Sequence, residues 1–357
     1  MAGGNRAGGG VDPRGRIQPA ARRAARAVNP LRRLYKRSHR LRRFIRRRKD
    51  AAANHLARIA LWLPRTVSLA RALALADRIG NLIYAALPGT RRLALEHLQL
   101  AFGDQLSDMD RERIACASFR NVARCFVELA KFDVIRDCFD DYAEVEGWQH
   151  WEKVRAAGTG AIVITGHIGN WELLAAYFAR KGVPIAGIAR RLNDSRLNRL
   201  LVDFRSSNGV RTILRESPSS GRDILKVLKE RGILALVIDQ DIIAPSVSVP
   251  FFGRLARTPA AAAVLSVRRG VPVFPCFAQR RPGGGQRFII RPPIYPPQSG
   301  DRNRDVVELT NAYSAALEEH IRANPTEWVW WHRRWRRPPV PRLDLDAKMQ
   351  YPNPVLR

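Results

Sequence analysis

Acidic residues are in short supply in this chain: 32 Asp and Glu stand against 62 Lys and Arg over 357 residues, a formal charge of +30. Such an imbalance points to a negatively charged partner, whether nucleic acid, an anionic membrane or an acidic protein. Cysteine is scarce too. Cys116, Cys125, Cys138 and Cys276 form no C-x-x-C pair, which argues against a disulfide scaffold or a thiolate zinc module, and they read as reduced core residues in a cytosolic setting. No long uncharged apolar run exists. The best candidate, His55–Leu87, is interrupted by Arg58, Pro64, Arg65, Arg71, Asp77 and Arg78. It reads as lying in or against a membrane rather than crossing it, or as a buried pair of soluble helices. The N-terminus lacks the apolar stretch of a signal peptide. P-loop, dinucleotide, zinc-finger and RNP patterns are all missing, so no specific nucleic acid and no nucleotide cofactor is expected.

What is present is unevenly placed. About half of the excess charge lies in residues 1–50, where only Asp12 and Asp50 oppose the run from Arg6 to Lys49. Within this arm Leu31, Leu34, Tyr35, Leu41, Phe44 and Ile45 recur at near-helical spacing, describing a basic amphipathic helix suited to an anionic membrane surface. A solvated or RNA-binding tail has the same composition. The first twenty residues, rich in Gly and Ala, read as disordered. At 46% hydrophobic residues the chain can bury a full core.

Four regions follow from the patterning: the basic arm 1–50, a helical membrane-associated lead-in 51–140, an α/β domain 141–337, and a Pro-rich tail 338–357. The lead-in shows apolar residues at three- and four-residue steps, broken at Pro88–Gly89 and again around Gly103–Asp110, where Ser107 is a helix cap. Beyond Tyr142, strands expected at Ala161–Thr165, Ile185–Ala189, Ile233–Ile238, Val273–Ala278 and Phe288–Arg291 alternate with helices. Those are expected at Trp171–Arg180, Arg196–Ser206, Arg222–Lys229, Pro259–Arg268 and Asp305–Ala323, and Gly283–Gly285 reads as a hairpin turn. The pattern predicts a mixed, largely parallel sheet flanked by helices. Active sites on such sheets sit in loops beyond the strand ends.

The segment AIVITGHIGNWELLAAYF, Ala161–Phe178, carries the clearest chemistry. On one continuous helix His167 and Glu172 would lie about 140° apart. Gly166 and Gly169 allow a bend, and Asn170 is placed to cap the helix that follows. The bend lets the Glu172 carboxylate reach one imidazole nitrogen, leaving the other to take a proton. That is the base half of a catalytic triad, with the nucleophile supplied as a substrate hydroxyl.

Other polar groups cluster near strand ends. Arg190, Arg191 and Asn193 follow the second sheet strand and offer donors for a phosphate or an oxyanion. Asp239 and Asp241 share one side of an extended segment. With no His cluster near them in sequence they suit orienting positive groups in a pocket better than holding a metal. Phe251 and Phe252 form an apolar loop that is either a wall for an acyl chain or a core plug, and Thr258 can cap a helix opened by Pro259. Near the C-terminus Trp328, Trp330, Trp331 and Trp335 interleave with His332, Arg333, Arg334, Arg336 and Arg337. This is a composition for a membrane interface or for stacking on single strands.

Taken in order, GHIGNWE, ARRLN, VIDQD, VPFFG with Thr258, and PTEWVWWHRRW resemble the bacterial lipid A biosynthesis (late) acyltransferases, within the lysophospholipid acyltransferase group. The match covers about Leu56–Arg337. The resemblance implies a glycerolipid-acyltransferase-like fold beside an N-terminal membrane-associated helix. It also implies transfer of a fatty acyl chain from an acyl carrier protein or coenzyme A thioester to a hydroxyl of a membrane glycolipid in lipopolysaccharide synthesis. That reaction takes place at the cytoplasmic face of the inner membrane, without a metal or a resident cofactor. By the same resemblance His167 is the base and Glu172 its orienting acid, and Arg190, Asn193, Arg333 and Arg334 match the family's loop and C-terminal motif as oxyanion or phosphate ligands; the chemistry itself asks for oxyanion donors, from Asn170, Arg190 or the N–H groups that open the Trp171–Arg180 helix. Asp239, Asp241, Phe251, Phe252 and Thr258 line the pocket. The long Arg-rich arm and His97, where many members carry Asn, depart from the pattern and leave the acceptor open, with a phosphoinositide mannoside or an aminolipid as alternatives; a non-catalytic protein that binds an anionic surface or nucleic acid is the alternative of another class.

Overall fold

A computed structural model of the chain describes residues 67–191 and 195–340. All of them fall in one unit, Pro64–Arg357. The basic arm, about the first third of the membrane-facing candidate segment, Asn193 and nearly all of the Pro-rich tail lie outside the described residues.

Three helices lead in: α1 (Leu69–Ala86), α2 (Pro88–Phe102) and α3 (Asp108–Ala130). Ser68 caps α1 and Ser107 caps α3, each accepting a hydrogen bond from an N–H three residues on. The buried stripe of α1, Ala72, Ala76, Gly80 and Tyr84, has the spacing of a helix face. Small residues there allow close packing on α3: a Cβ on Gly80 would stand 2.6 Å from the Arg120 Cα. Among the described residues no helix is long and apolar enough to cross a membrane.

Two short helices, α4 (Phe132–Asp137) and α5 (Phe139–Tyr142), lead to β1 (Ala143–Glu146) and α6 (Trp148–Ala156). Strand and helix then alternate through β2 (Ala161–Thr165), α7 (Trp171–Arg180), β3 (Ile185–Ala189), α8 (Ser195–Ser207), β4 (Val210–Leu214), α9 (Ser220–Lys229) and β5 (Ile233–Val237). A hairpin, β6 (Ser246–Phe251) and β7 (Arg254–Pro259), interrupts the alternation before α10 (Ala261–Arg269), β8 (Val273–Arg280), β9 (Gln286–Ile290) and α11 (Arg302–Ala323).

The main sheet has seven strands in the order β1-β9-β8-β2-β5-β3-β4. Every neighbouring pair is parallel except β8 with β9, which are joined through the glycine turn. Strand β2 sits at the centre with all five residues buried, as expected of a parallel strand covered on both faces. Its side chains alternate between two cores: Ile162 and Ile164 pack on one face, Ala161 and Val163 on the other. The first core also holds Tyr84, Ala94 and Leu98, so the lead-in helices are part of the same packed body as the sheet.

The expected elements at Ala161–Thr165, Trp171–Arg180 and Ile185–Ala189 match the structure residue for residue. One element differs in kind. Thr258 and Pro259 do not open a helix; they pair with Val247 and Ser246 in the hairpin, and α10 begins at Ala261 with Ala260 as its cap. The loop expected at Phe251–Phe252 is the tight turn of that hairpin, with Phe252 and Gly253 both at positive φ (53° and 70°).

Candidate active site

The site is set by strand register. Thr165 pairs with Val237 at the C-terminal ends of β2 and β5, and Ile238 N–H continues the ladder to Thr165 O. His167 and Asp239 therefore each stand two residues beyond a paired position. They meet there. The His167 imidazole Nδ1 is 2.7 Å from Asp239 Oδ1, and His167 N–H donates to Asp239 Oδ2 at 2.6 Å. Trp328 Nε1 donates to the same Oδ2 at 2.8 Å. Asp239 is completely buried while the His167 side chain keeps about a fifth of its surface (21%), so the nitrogen turned away from the carboxylate, Nε2, is the one a substrate can approach.

Burial alone would push the Asp239 carboxyl up, but the adjoining His167 and His332 and the His167 N–H bond hold it well below the usual carboxylate range. The carboxylate is thus ionised at neutral pH and fixes the imidazole with its proton on Nδ1. Two rings flank the imidazole edge to face, Trp171 at 4.8 Å and His332 at 4.5 Å between centroids. Burial, followed by the neighbouring His167, pushes His332 down to about 3, so it stays neutral. His167, Asp239 and His332 bring ligand atoms within 4.8 Å of one another, the spacing of a metal cluster. Both oxygens of Asp239 are already taken by N–H donors.

Glu172 is not the partner of His167. It lies on the first turn of α7 and binds Arg205 of α8 instead, Oε2 to Nε at 2.8 Å and Oε1 to Nη2 at 2.5 Å, with Trp171 Nε1 also donating to Oε1. The bend expected between the two residues is present. Gly169 has φ +55°, and a Cβ there would meet Ala278 O at 2.1 Å. It delivers the imidazole to the end of β5 rather than to α7. The pair Glu172–Arg205 is largely buried and ties α8 to the first turn of α7. Glu172→Gln is accordingly expected to cost stability, about 3–5 kcal/mol for one broken buried pair. Urea unfolding should show this, with Glu172→Gln/Arg205→Met recovering part of the loss.

Asn170 caps α7 as expected, accepting from Leu173 N–H at 3.2 Å, but its amide donates to Glu128 at 2.7 Å and so is committed to the protein interior rather than to an oxyanion. Arg334 is no surface phosphate ligand. It is 1% exposed, donates to Arg257 O and Thr258 Oγ1, both at 2.6 Å, and lies over the Phe251 ring. Burial lowers its pKa to about 10. Arg333 and Arg190 are exposed. Asp241 is bound by Arg337, which also donates to Ile242 O, so it anchors the C-terminal segment.

Phe251 and Phe252 are buried among Phe102, Trp328, Trp330 and Trp335, which makes them a core plug and not the wall of an open acyl pocket. Thr258 is buried as the acceptor for Arg334. A cavity of about 540 Å³ lies at the outer edge of the sheet against β4, lined by Val202, Val210, Arg211, Thr212 and Lys226, with β3 and β5 between it and β2. Cys125 and Cys276 are buried thiols, as expected, whereas Cys138 is exposed at a helix end and Cys116 is half-buried, so these two are not core residues.

The sequence pointed to Asp239 for a different task, placed His332 only in a membrane-interface or strand-stacking segment, and gave no sign of Arg205. The signal for Asp239 was its place two residues past a strand, the same offset as His167.

Comparison with known proteins supplies the family. Residues 44–337 match the family described as bacterial lipid A biosynthesis acyltransferase. The chain is similar to proteins named phosphatidylinositol mannoside acyltransferase. It is 28% identical to that of Mycobacterium tuberculosis strain H37Rv over 62% of this chain and 70% of the relative. It is 29% identical to that of strain CDC 1551 over 54% of this chain and 59% of the relative. With the Mycolicibacterium smegmatis protein it shares 27% identity over 71% of this chain and 82% of the relative. The chain is an acyltransferase belonging to the bacterial lipid A biosynthesis acyltransferase family.

Proposed function

We propose that the chain moves a fatty acyl group from a thioester of acyl carrier protein or coenzyme A to a hydroxyl of a mannosylated phosphoinositide, with His167 as general base and Asp239 as its orienting acid. The observation that carries the chemistry is the 2.7 Å contact of His167 Nδ1 with a buried carboxylate, which leaves Nε2 of a partly exposed side chain to act as the base. A hydroxyl is a weak nucleophile. As its oxygen attacks the thioester carbon, Nε2 takes its proton, and Asp239 stabilises the imidazolium that forms. The resulting oxyanion needs donors already in place. The N–H groups of Trp171 and Glu172, which intrahelical bonding leaves over at the start of α7, meet that need. Collapse of the tetrahedral intermediate expels the thiolate, which recovers the proton from His167, giving ester and free thiol.

The names of the three relatives support a phosphoinositide mannoside as acceptor. The family description favours a lipid A precursor as the second reading. The surplus of cations suits both an acidic carrier protein and an anionic bilayer at the cytoplasmic face of the inner membrane, and encounter should weaken with salt. To test the acceptor, the purified chain is incubated with a long-chain acyl thioester and each lipid, and products are read by mass spectrometry. Gain of one acyl mass on the mannolipid, with the lipid A precursor unchanged, is the expected result. Acylation of the precursor alone would move the assignment to the second reading.

A further inference from the structure

Behind the bend that carries His167 lies a buried ionic hub with no direct part in the chemistry above. Glu128 of α3 is wholly buried, and its carboxylate accepts hydrogen bonds from four side chains. They are Arg280 (2.7 and 3.1 Å), Tyr142 (2.7 Å), Gln286 (2.9 Å) and Asn170 (2.7 Å). Arg280, the last residue of β8, also donates to the Asn121 side chain, and its own N–H is held by the Glu327 carboxylate at 3.0 and 3.1 Å. From this hub the bonds run to the catalytic bend. Asn121 Nδ2 and Gly169 N–H both donate to Glu327 O, at 2.8 and 3.3 Å. Cys125 Sγ donates to Gly169 O at 3.0 Å.

Stability is a poor reason for this arrangement. A buried ion pair is costly to desolvate, and apolar residues of the same volume serve a core as well or better. What the hub does provide is definition. It fixes the Asn170 amide in one orientation, with Nδ2 on Glu128 and Oδ1 on Leu173 N–H, and so determines where α7 begins. Both oxygens of the Glu128 carboxylate are bonded, and such a buried charge specifies a single geometry because any alternative leaves it short of a donor.

We infer that Glu128 and Arg280 are positioning residues for acyl transfer, acting through Asn170 on the first turn of α7 and the N–H groups there that receive the oxyanion. The inference rests on the acyl-transfer reading of this site.

Two variants separate this role from a merely structural one. Glu128→Gln keeps the size of the side chain and removes its charge; Asn170→Ser keeps an N-cap acceptor but loses the reach to Glu128. Each is expected to lower kcat by about 10- to 100-fold, the scale of a displaced transition-state donor. KM for the thioester should stay within about threefold, and the midpoint of the pH profile should not move, because the His167–Asp239 pair is untouched. The double variant should be no worse than the poorer single one, since both act through one bond. A kcat within threefold of the parent in folded protein, a loss carried by KM, or a double variant equal to the product of the singles would each overturn the inference. If Glu128→Gln does not fold, Asn170→Ser decides by the same kcat and KM split. Full activity of His167→Ala would instead remove the base assignment, an outcome recognisable apart from these.

Discussion

Replacing His167 with alanine is expected to lower acyl transfer by about 10³- to 10⁴-fold, the range lost when a base is taken from an oriented pair. The protein should still fold. The imidazole is partly exposed, and the main-chain bonds of residue 167, N–H to Asp239 and C=O from Val329 N–H, do not depend on its side chain. Circular dichroism and thermal melts establish the fold; thioester consumption with a lipid acceptor gives the rate. A well-folded His167→Ala protein that transfers acyl groups at near-parental rate would sink the mechanism.

Asp239→Asn has the second large effect, and it differs in kind because it touches both rate and stability. The amide can no longer select the tautomer with its proton on Nδ1, which is expected to cost about 10³- to 10⁴-fold in kcat. It also presents an N–H group to a site where His167 N–H, His167 Nδ1 and Trp328 Nε1 converge. One buried donor is then left facing another, at about 1–3 kcal/mol. The sign with pH follows from the lowered carboxyl. A group depressed in the folded state contributes stability that is fully present above its unfolded pKa, about 3.9, and is lost as pH falls toward the folded value. Asp239→Asn should therefore narrow the gap in stability between pH 7 and pH 3 relative to the parent. A variant with an unchanged acid slope and unimpaired turnover would show that the carboxylate neither stores this energy nor orients the base.

Much of the frame was legible in the amino-acid order. Gly166 and Gly169 around a histidine announced the bend, Asn170 announced the helix start, and the apolar run Ala161–Thr165 announced a strand; all three depend on residues within a few positions of one another. The partner of His167 does not. Asp239 is 72 residues away and is chosen by the parallel register of β2 with β5, which neither strand specifies alone. Proximity in sequence favoured Glu172, yet its place on the first turn of α7 turns it to Arg205, in a helix whose packing only the folded chain fixes. The C-terminal aromatic and basic stretch misled for a related reason. Its composition suits a surface, while Trp328, Trp330 and Arg334 are drawn inside by Asp239, Pro325 and the β6–β7 hairpin. Register and long-range hydrogen bonding carried what periodicity lacks.

The bend at residues 167–169 is held by groups from far along the chain: Asp239, Glu327 and Val329 after it, Cys125 before it. During translation, about 160 residues must follow His167 out of the ribosome before the last of these clamps exists. At roughly 5–20 residues per second that is a delay of about 8–30 seconds. The nascent polypeptide therefore lacks the Val329 clamp on the His167 backbone until residue 329 has been made.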